Sequence, residues 1–372
     1  MLKFKKHIID TDTEYEVAVA FDVDGDGIVD IVCGPYWYKG PDFQKKIKMC
    51  DVSTVHSPLF DDIIYNDCGA VVMDVDGDGR LDVITGDWVE HNIRYRRNPG
   101  NEGSWEEIMI DDQAECVECV LAADLDNCGT PEIIANNVRQ EIVFYKLVKD
   151  EQGKGTGKFT RHNLKCVPKQ RDQGHGIGFV DMTGNGFLDI VTQHGWYMNP
   201  GDIMNGEWLY MPEYELGCYG SIPIIGMDIS GNCYPDLVYG VGHGYGLYWL
   251  EHQRVDFDCN NWVRHTVDTA ASECHWLHKA DIDGDGKDEI ITGKRYRAHG
   301  FKDPGAMDQM MLCYYKPENG RLVRTIIDFG DPTSHCGAGL VSFVGDVFGK
   351  GRMDIVAAGK DGLVAYENLG CE

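Results

Sequence analysis

The 372-residue chain contains no stretch of about 18 consecutive apolar residues, so no membrane-crossing helix is expected. Its first residues, MLKFKKHIID, lack the apolar core of a secretory leader. Basic residues are scarce: 34 Lys and Arg stand against 61 Asp and Glu, a formal charge of −27. That balance argues against a nucleic-acid binder, which needs a basic footprint, and against docking on anionic membranes. Segments of helical period are missing, which excludes a helical solenoid. Only Cys116 and Cys119 have CxxC spacing, and no second pair completes a zinc ribbon. The fourteen cysteines read as reduced structural thiols and, with the missing leader, point to the cytoplasm.

What is present is a core and a repeat. Hydrophobic residues make up 43% and aromatics 10%, enough to exclude disorder. Many of the 45 glycines and much of the acid fall in one phrase that recurs seven times. It runs AVAFDVDGDGIVDIVCG from Ala18 and AVVMDVDGDGRLDVITG from Ala70, with leading aspartates at Asp22, Asp74, Asp124, Asp181, Asp228, Asp281 and Asp346. The mean spacing is roughly 53 residues, within the range of repeat architectures. Each unit reads as four short β-branched or aromatic strands, with the acidic Gly-rich turn between the first two. Seven such units predict an all-β, seven-bladed propeller of four antiparallel strands per blade, one domain over residues 1–372. The last unit ends after its third strand, Gly362 to Asn368. The first residues, Leu2 to Asp10, supply the missing fourth strand and are expected to close the ring, removing a free edge.

The acidic turns resemble the FG-GAP/VCBS propeller repeat, in which such loops bind Ca²⁺ or brace the turn. Three keep a full acid set: Asp22, Asp24, Asp26 and Asp30; Asp74, Asp76, Asp78 and Asp82; Asp281, Asp283, Asp285 and Glu289. Hard oxygen ligands crowded in one loop suit Ca²⁺, and a purely structural turn suits the same residues. The other four turns lose acids; in the seventh, Lys350 takes the position of Asp26, where an ammonium would substitute for a cation.

The opposite face receives everything just before strand one or just after strand two of each unit. His175 and His275 each lie six residues ahead of a leading aspartate, and Glu16 and Glu118 hold the same register. Equivalent positions of a rotational repeat form a ring around the axis. The same face receives Trp88, His91, Asn137, Arg139, His194, Trp196, His243, Tyr245, Lys294, Arg295, Arg297, His299, Asp303, His335 and Lys360. Imidazoles with a carboxylate suit Zn²⁺, Mn²⁺ or Fe²⁺. The arginines suit a carboxylate or oxyanion, and Trp88 and Trp196 suit the apolar face of a sugar. Trp249 and His278 read as strand residues.

Several phrases go further: Gly174-His175-Gly-Ile-Gly-Phe-Val-Asp181, His194-Gly-Trp196, His243-Gly-Tyr245, and Gly293-Lys-Arg295-Tyr-Arg-Ala-His299 through Asp303-Pro304-Gly305. They resemble the propeller domain of the aldos-2-ulose dehydratase family, which eliminates water from keto-sugars such as 1,5-anhydrofructose with metal in the site. That resemblance implies metal on His175, His243, His275 and Glu118, and a small carbohydrate substrate. A proton acceptor would be His194 or Tyr245, with Arg295 or Arg297 stabilising an oxyanion and His299 protonating the leaving hydroxyl. Trp88, His91, Asn137, Arg139, Trp196, Lys294, Asp303 and His335 would contact substrate. A non-catalytic propeller binding a glycan or a protein, a lyase acting on uronic-acid sugars, and a metal hydrolase stand as alternatives.

Overall fold

A computed structural model describes residues 2–169, 172–256 and 259–371. Seven four-stranded antiparallel sheets stand around one axis. Blade 1 comprises Ala18–Phe21, Asp30–Cys33, Tyr36–Lys39 and Lys45–Lys48. Blades 2 to 6 begin at Cys68, Val117, Ile177, Ile225 and Leu277. Blade 7 comprises Phe343–Gly345, Asp354–Gly359 and Gly362–Cys371, and its outer strand is Leu2–Asp10. Leu2 lies opposite Cys371 and Ile8 opposite Val364, so the N-terminal strand closes the ring as the sequence implies.

Adjacent blades pack face to face through β-branched and aromatic side chains. Ile84, Ile93 and Tyr95 of blade 2 meet Ile133, Val143 and Tyr145 of blade 3. Ile31 and Tyr38 of blade 1 meet Val356, Leu363 and Ala365 of blade 7 in the same manner. The closing interface is therefore as apolar as an internal one, and each large side chain buried there contributes about 1.5–3 kcal/mol. Trp249 is buried and stacks on His265 at 4.2 Å, and His278 lies on the first strand of blade 6. Cys116 and Cys119 are buried free thiols.

Two additions interrupt the repeat. A short strand, Cys166–Val167, pairs in parallel with the outer strand of blade 4. A hairpin, Thr54–Ser57 with Asp62–Tyr65, is inserted between blades 1 and 2. Helical structure among the described residues is confined to two 3₁₀ turns, Ala298–Phe301 and Pro332–Ser334.

The acidic turns are braced from within. The Asp22 carboxylate accepts from the backbone N–H groups of Gly25, Asp26 and Gly27 at 2.8, 3.1 and 2.8 Å. Asp30 accepts from Val23 and Gly40 at 3.0 and 2.7 Å, tying the turn to the third strand. Gly25 and Gly27 adopt φ of 78° and 84°, which a side chain would strain. The counter-charge comes from the third strand of the same blade. Lys39 reaches Asp24 and, at 2.8 Å, Asp26. Arg97 reaches Asp76 at 2.5 Å, Lys146 reaches Asp126 at 2.6 Å, and Lys316 reaches Asp283 and, at 2.7 Å, Asp285. An ammonium or guanidinium thus serves each acid-rich turn, which weighs against the calcium expectation.

Candidate metal centre at the propeller mouth

The face opposite the acidic turns holds a cavity of about 570 Å³, lined by side chains from every part of the ring. His175 and His275 come from the segments that enter blades 4 and 6, and Glu118 from the start of blade 3. His243 comes from the connection between the second and third strands of blade 5. Rotational register brings these four together: one ligand atom of each lies within 4.8 Å of the others.

The hydrogen bonds fix which nitrogen of each ring is free. His175 Nδ1 lies 2.6 Å from the Gly220 carbonyl and must donate to it. His243 Nδ1 lies 3.0 Å from Asp303 Oδ2 and donates likewise. Burial pulls His243 down to about 4 despite Asp303, so the ring is uncharged at neutral pH. The His243 Nε2 lone pair then faces His175 Nε2, 3.1 Å away, with no protein atom other than these two nitrogens in the contact. Between two unprotonated nitrogens such a contact is repulsive when empty and favourable around a cation.

His275 Nε2 lies 3.3 Å from Glu118 Oε1, and His175 Nε2 lies 3.7 Å from the same oxygen. A tetrahedral site with bonds of about 2.0–2.1 Å separates its ligands by about 3.3–3.4 Å, so the observed spacings fit a divalent transition metal. Burial holds His275 at about 3, also neutral. Burial raises Glu118, but His175 and His275 outweigh it and hold the carboxyl well below its usual range. Three imidazoles and one carboxylate form a donor set for Zn²⁺, Mn²⁺ or Fe²⁺. The Asp303 and Gly220 contacts are the outer partners that orient such rings.

Around this centre charged groups are set among apolar and aromatic lining residues. Arg295 forks Glu16, Nε to Oε1 at 2.7 Å and Nη2 to Oε2 at 3.1 Å. Burial raises Glu16, but Arg295 and Lys360 hold it at about 2. Asp303 is shared: it also accepts from His299 Nδ1, at 2.8 Å to Oδ2. Arg139 and Trp88 line the wall, and Arg139 has no ion-pair partner among the described residues.

Of the residues singled out from the sequence, Glu118, His175, His243, Arg295, His299, Asp303, Trp88 and Arg139 line this cavity. His275 closes it from below as a fully buried ligand candidate. Eight others do not line it, each for a visible reason. His194 turns outward to Glu215 at 2.7 Å and Asp172 at 3.6 Å. Tyr245 is exposed and bonds Asp308 at 2.7 Å. Trp196 is buried between blades 4 and 5, its indole N–H donating to Glu213 at 2.8 Å. Arg297 pairs with Glu14 at 3.0 Å and Asp62 at 3.4 Å. His91 accepts from the Cys116 N–H at 3.4 Å, and Asn137 donates to Gln140 at 3.1 Å. His335 is tied to the Asp361 carbonyl. Lys294 is buried on Glu273 at 3.1 Å and the Gly305 carbonyl at 2.6 Å, anchoring the loop that carries His299 and Asp303.

The repeat register did not reveal Tyr219, Phe60 or Asp62. Tyr219 lies in the loop leading into blade 5, its ring edge-on to His175 and His243 at 5.7 and 5.4 Å. Its carbonyl accepts from the Gly242 N–H at 2.8 Å, and its hydroxyl has no partner among the described residues. The loop class that supplied His175 and His275 also contains Tyr219, which is the signal that points to it. Phe60 and Asp62 belong to the inserted hairpin, outside any repeat register.

Residues 74–135 match the FG-GAP-like repeat family. Cartilage acidic protein 1 of Xenopus tropicalis is 24% identical over 195 residues, 48% of this chain and 30% of that protein. The Mus musculus protein of the same name is 24% identical over 185 residues, 45% of this chain and 28% of that protein. The matched segments thus span less than a third of those relatives. Among solved structures, a chain described as BBS1N in complex with ARL6DN superposes with a TM-score of 0.52 at 9% identity, covering 98% of this chain and 96% of that one. At that identity the likeness concerns the fold alone. The chain is a seven-bladed β-propeller carrying the FG-GAP-like repeat.

Proposed function

We propose that the chain is a divalent-metal-dependent carbohydrate lyase or dehydratase, working by β-elimination at the histidine-rich mouth. The observation that carries this reading is the facing pair of imidazole nitrogens, His175 Nε2 and His243 Nε2, 3.1 Å apart beside Glu118 in an open cavity.

β-Elimination next to a carbonyl or carboxylate needs an acidified C–H, a proton acceptor and help for the departing oxygen. His175, His243, His275 and Glu118 would hold a divalent metal, which would supply Lewis-acid polarisation of the substrate carbonyl. The chain's own residues supply the rest. Gly220 and Asp303 hold the two facing rings in one tautomer. Arg295, fixed by Glu16, presents positive charge to an oxyanion without having to reorganise. The Tyr219 hydroxyl, uncommitted and mounted on a pinned backbone, exchanges a proton with substrate in place of His194 or Tyr245. His299, oriented by Asp303, stands at the opposite wall to protonate the leaving hydroxyl.

The test has two stages. Purified protein is assayed for Mn, Fe, Co, Ni and Zn, then incubated with 1,5-anhydrofructose while enone absorbance is followed. Signal lost in His175→Ala and His243→Ala but kept in Asp24→Ala supports the reading. Sugar bound without conversion, in metal-loaded protein, replaces it with a glycan-binding propeller.

A further inference from the structure

The inserted hairpin crosses the mouth. It leaves the ring between blades 1 and 2, touches the segment entering blade 1 through Tyr65, and reaches blades 6 and 7. Asp62 accepts from Lys360 Nζ of blade 7 at 2.6 Å and pairs with Arg297 of blade 6 at 3.4 Å. Lys302 donates to the Leu59 carbonyl at the hairpin tip. The tip rests on Gly300, where a Cβ would run into the Phe60 carbonyl. Four hairpin residues, Phe60, Asp62, Ile64 and Tyr65, form one wall of the cavity.

That wall continues into the metal centre. The Phe60 ring stacks on His299 with centroids 4.0 Å apart and planes 18° apart. His299 stacks in turn on His243, at 4.5 Å and 17°. Asp303 bonds both imidazoles from the side. The ligand candidates Glu118, His175, His243 and His275 come from blades 3 to 6, and the hairpin walls the cavity beside them, on the mouth loops of blades 6 and 7.

We infer that residues 54–65 set the size of the substrate: the site takes a mono- or disaccharide and excludes a polysaccharide. A polymer threading the mouth would need an open groove on both sides of the metal centre, and one side is walled by Phe60 and Asp62. The inference rests on the carbohydrate reading above and adds the length of sugar admitted. Phe60 is a positioning residue within it, holding His299 against His243.

The chain can be rejoined without the hairpin, because its ends already meet: the Asn66 N–H donates to the Ser53 carbonyl at 3.0 Å. The experiment measures binding of a uronic-acid oligosaccharide ladder, disaccharide to polymer, and of 1,5-anhydrofructose by calorimetry on metal-loaded protein. Wild type is compared with a variant carrying Gly-Gly in place of residues 54–65, and with Phe60→Ala/Lys302→Ala, which frees the tip but keeps the chain. Metal content and melting temperature establish that each variant is folded. The expected result is a preference of about tenfold or more for the shortest sugars in wild type, abolished in both variants by a gain on the polymer. A wild type that takes polymer as well as disaccharide, or variants with an unchanged ladder, overturns the size inference alone. Failure of wild type and variants to bind any sugar overturns the carbohydrate reading and this inference together.

Discussion

Lys350 in the seventh acidic turn forms an ion pair with Glu367 on the third strand of the same blade. Tyr366 faces Ile355 as Tyr38 faces Ile31, so Glu367 occupies the position of Lys39, and Lys350 that of Asp26. The pair is kept with its charges exchanged. Where the turn loses its acids, in blades 4 and 5, the same strand position holds Met198 and Glu251 instead of a cation. Within one chain, turn charge and strand charge vary together, as expected if the turn's counter-ion is covalently part of the protein.

Exchanging the blade-7 residues tests this directly. Lys350→Glu and Glu367→Lys should each lower stability by about 1 kcal/mol, and the double variant should recover most of it. Denaturant titration of the four proteins closes the cycle. Purely additive losses would mean that the pair carries no coupling.

Calcium should barely move the melting temperature of the wild type, because Lys39, Arg97 and Lys316 already neutralise the acid-rich turns. Removing the ammonium with Lys39→Met should create a calcium-dependent rise in melting temperature. A wild type stabilised by several degrees at millimolar Ca²⁺ contradicts this account.

At the mouth, His175→Ala, His243→Ala and His275→Ala should each release the metal. Asp303→Asn, which touches the ligand ring and not the ion, should weaken metal affinity about 10–100-fold. Elemental analysis after dialysis against graded chelator reads the difference. A chelator should also lower the melting temperature of the wild type and leave His243→Ala unmoved.

The pH dependence has a defined sign. In chelated protein, His243 titrates at about 4 when folded and at about 6.5 when unfolded. The unfolded chain therefore binds more protons between those values. His243's contribution is fully present above about pH 6.5 and is lost as pH falls towards about 4. His243→Gln should flatten that part of the stability profile. In loaded protein, metal should be retained at about pH 5.5, since protons compete for His243 and His275 only near 4 and 3. Release with a midpoint at the ordinary histidine value would rule out the buried, neutral state of these rings.

Tyr219→Phe should keep metal content and melting temperature and lose turnover by about 10²–10⁴-fold, whereas Tyr245→Phe should retain it. Full turnover in Tyr219→Phe would remove this hydroxyl from the chemistry.

The fold and the convergence of Glu118, His175 and His275 at the mouth were legible in the sequence for the same reason. A rotational repeat turns register along the chain into position around an axis, so His175, His275 and Glu118 could be placed on one ring from their distance to Asp181, Asp281 and Asp124. The wall of the site was less legible. Residues between strands two and three share a face but not a direction: His243 points to the axis, while His194 turns to Glu215. Trp196 sits on a strand whose outer side is covered by the next blade. Tyr219 and the hairpin lie where the repeat has no fixed length, so no periodicity marks them.

The ring closure has a mechanical side. Leu2 pairs with Cys371 in an antiparallel ladder, so both ends of the chain leave the ring at one spot. A load applied across residues 2 and 371 opens that ladder one hydrogen bond at a time, as a zipper, instead of shearing all of them together. The seventh blade is thus the weak link under tension, while the six blades between, each built from consecutive strands, bear the force only after it has parted.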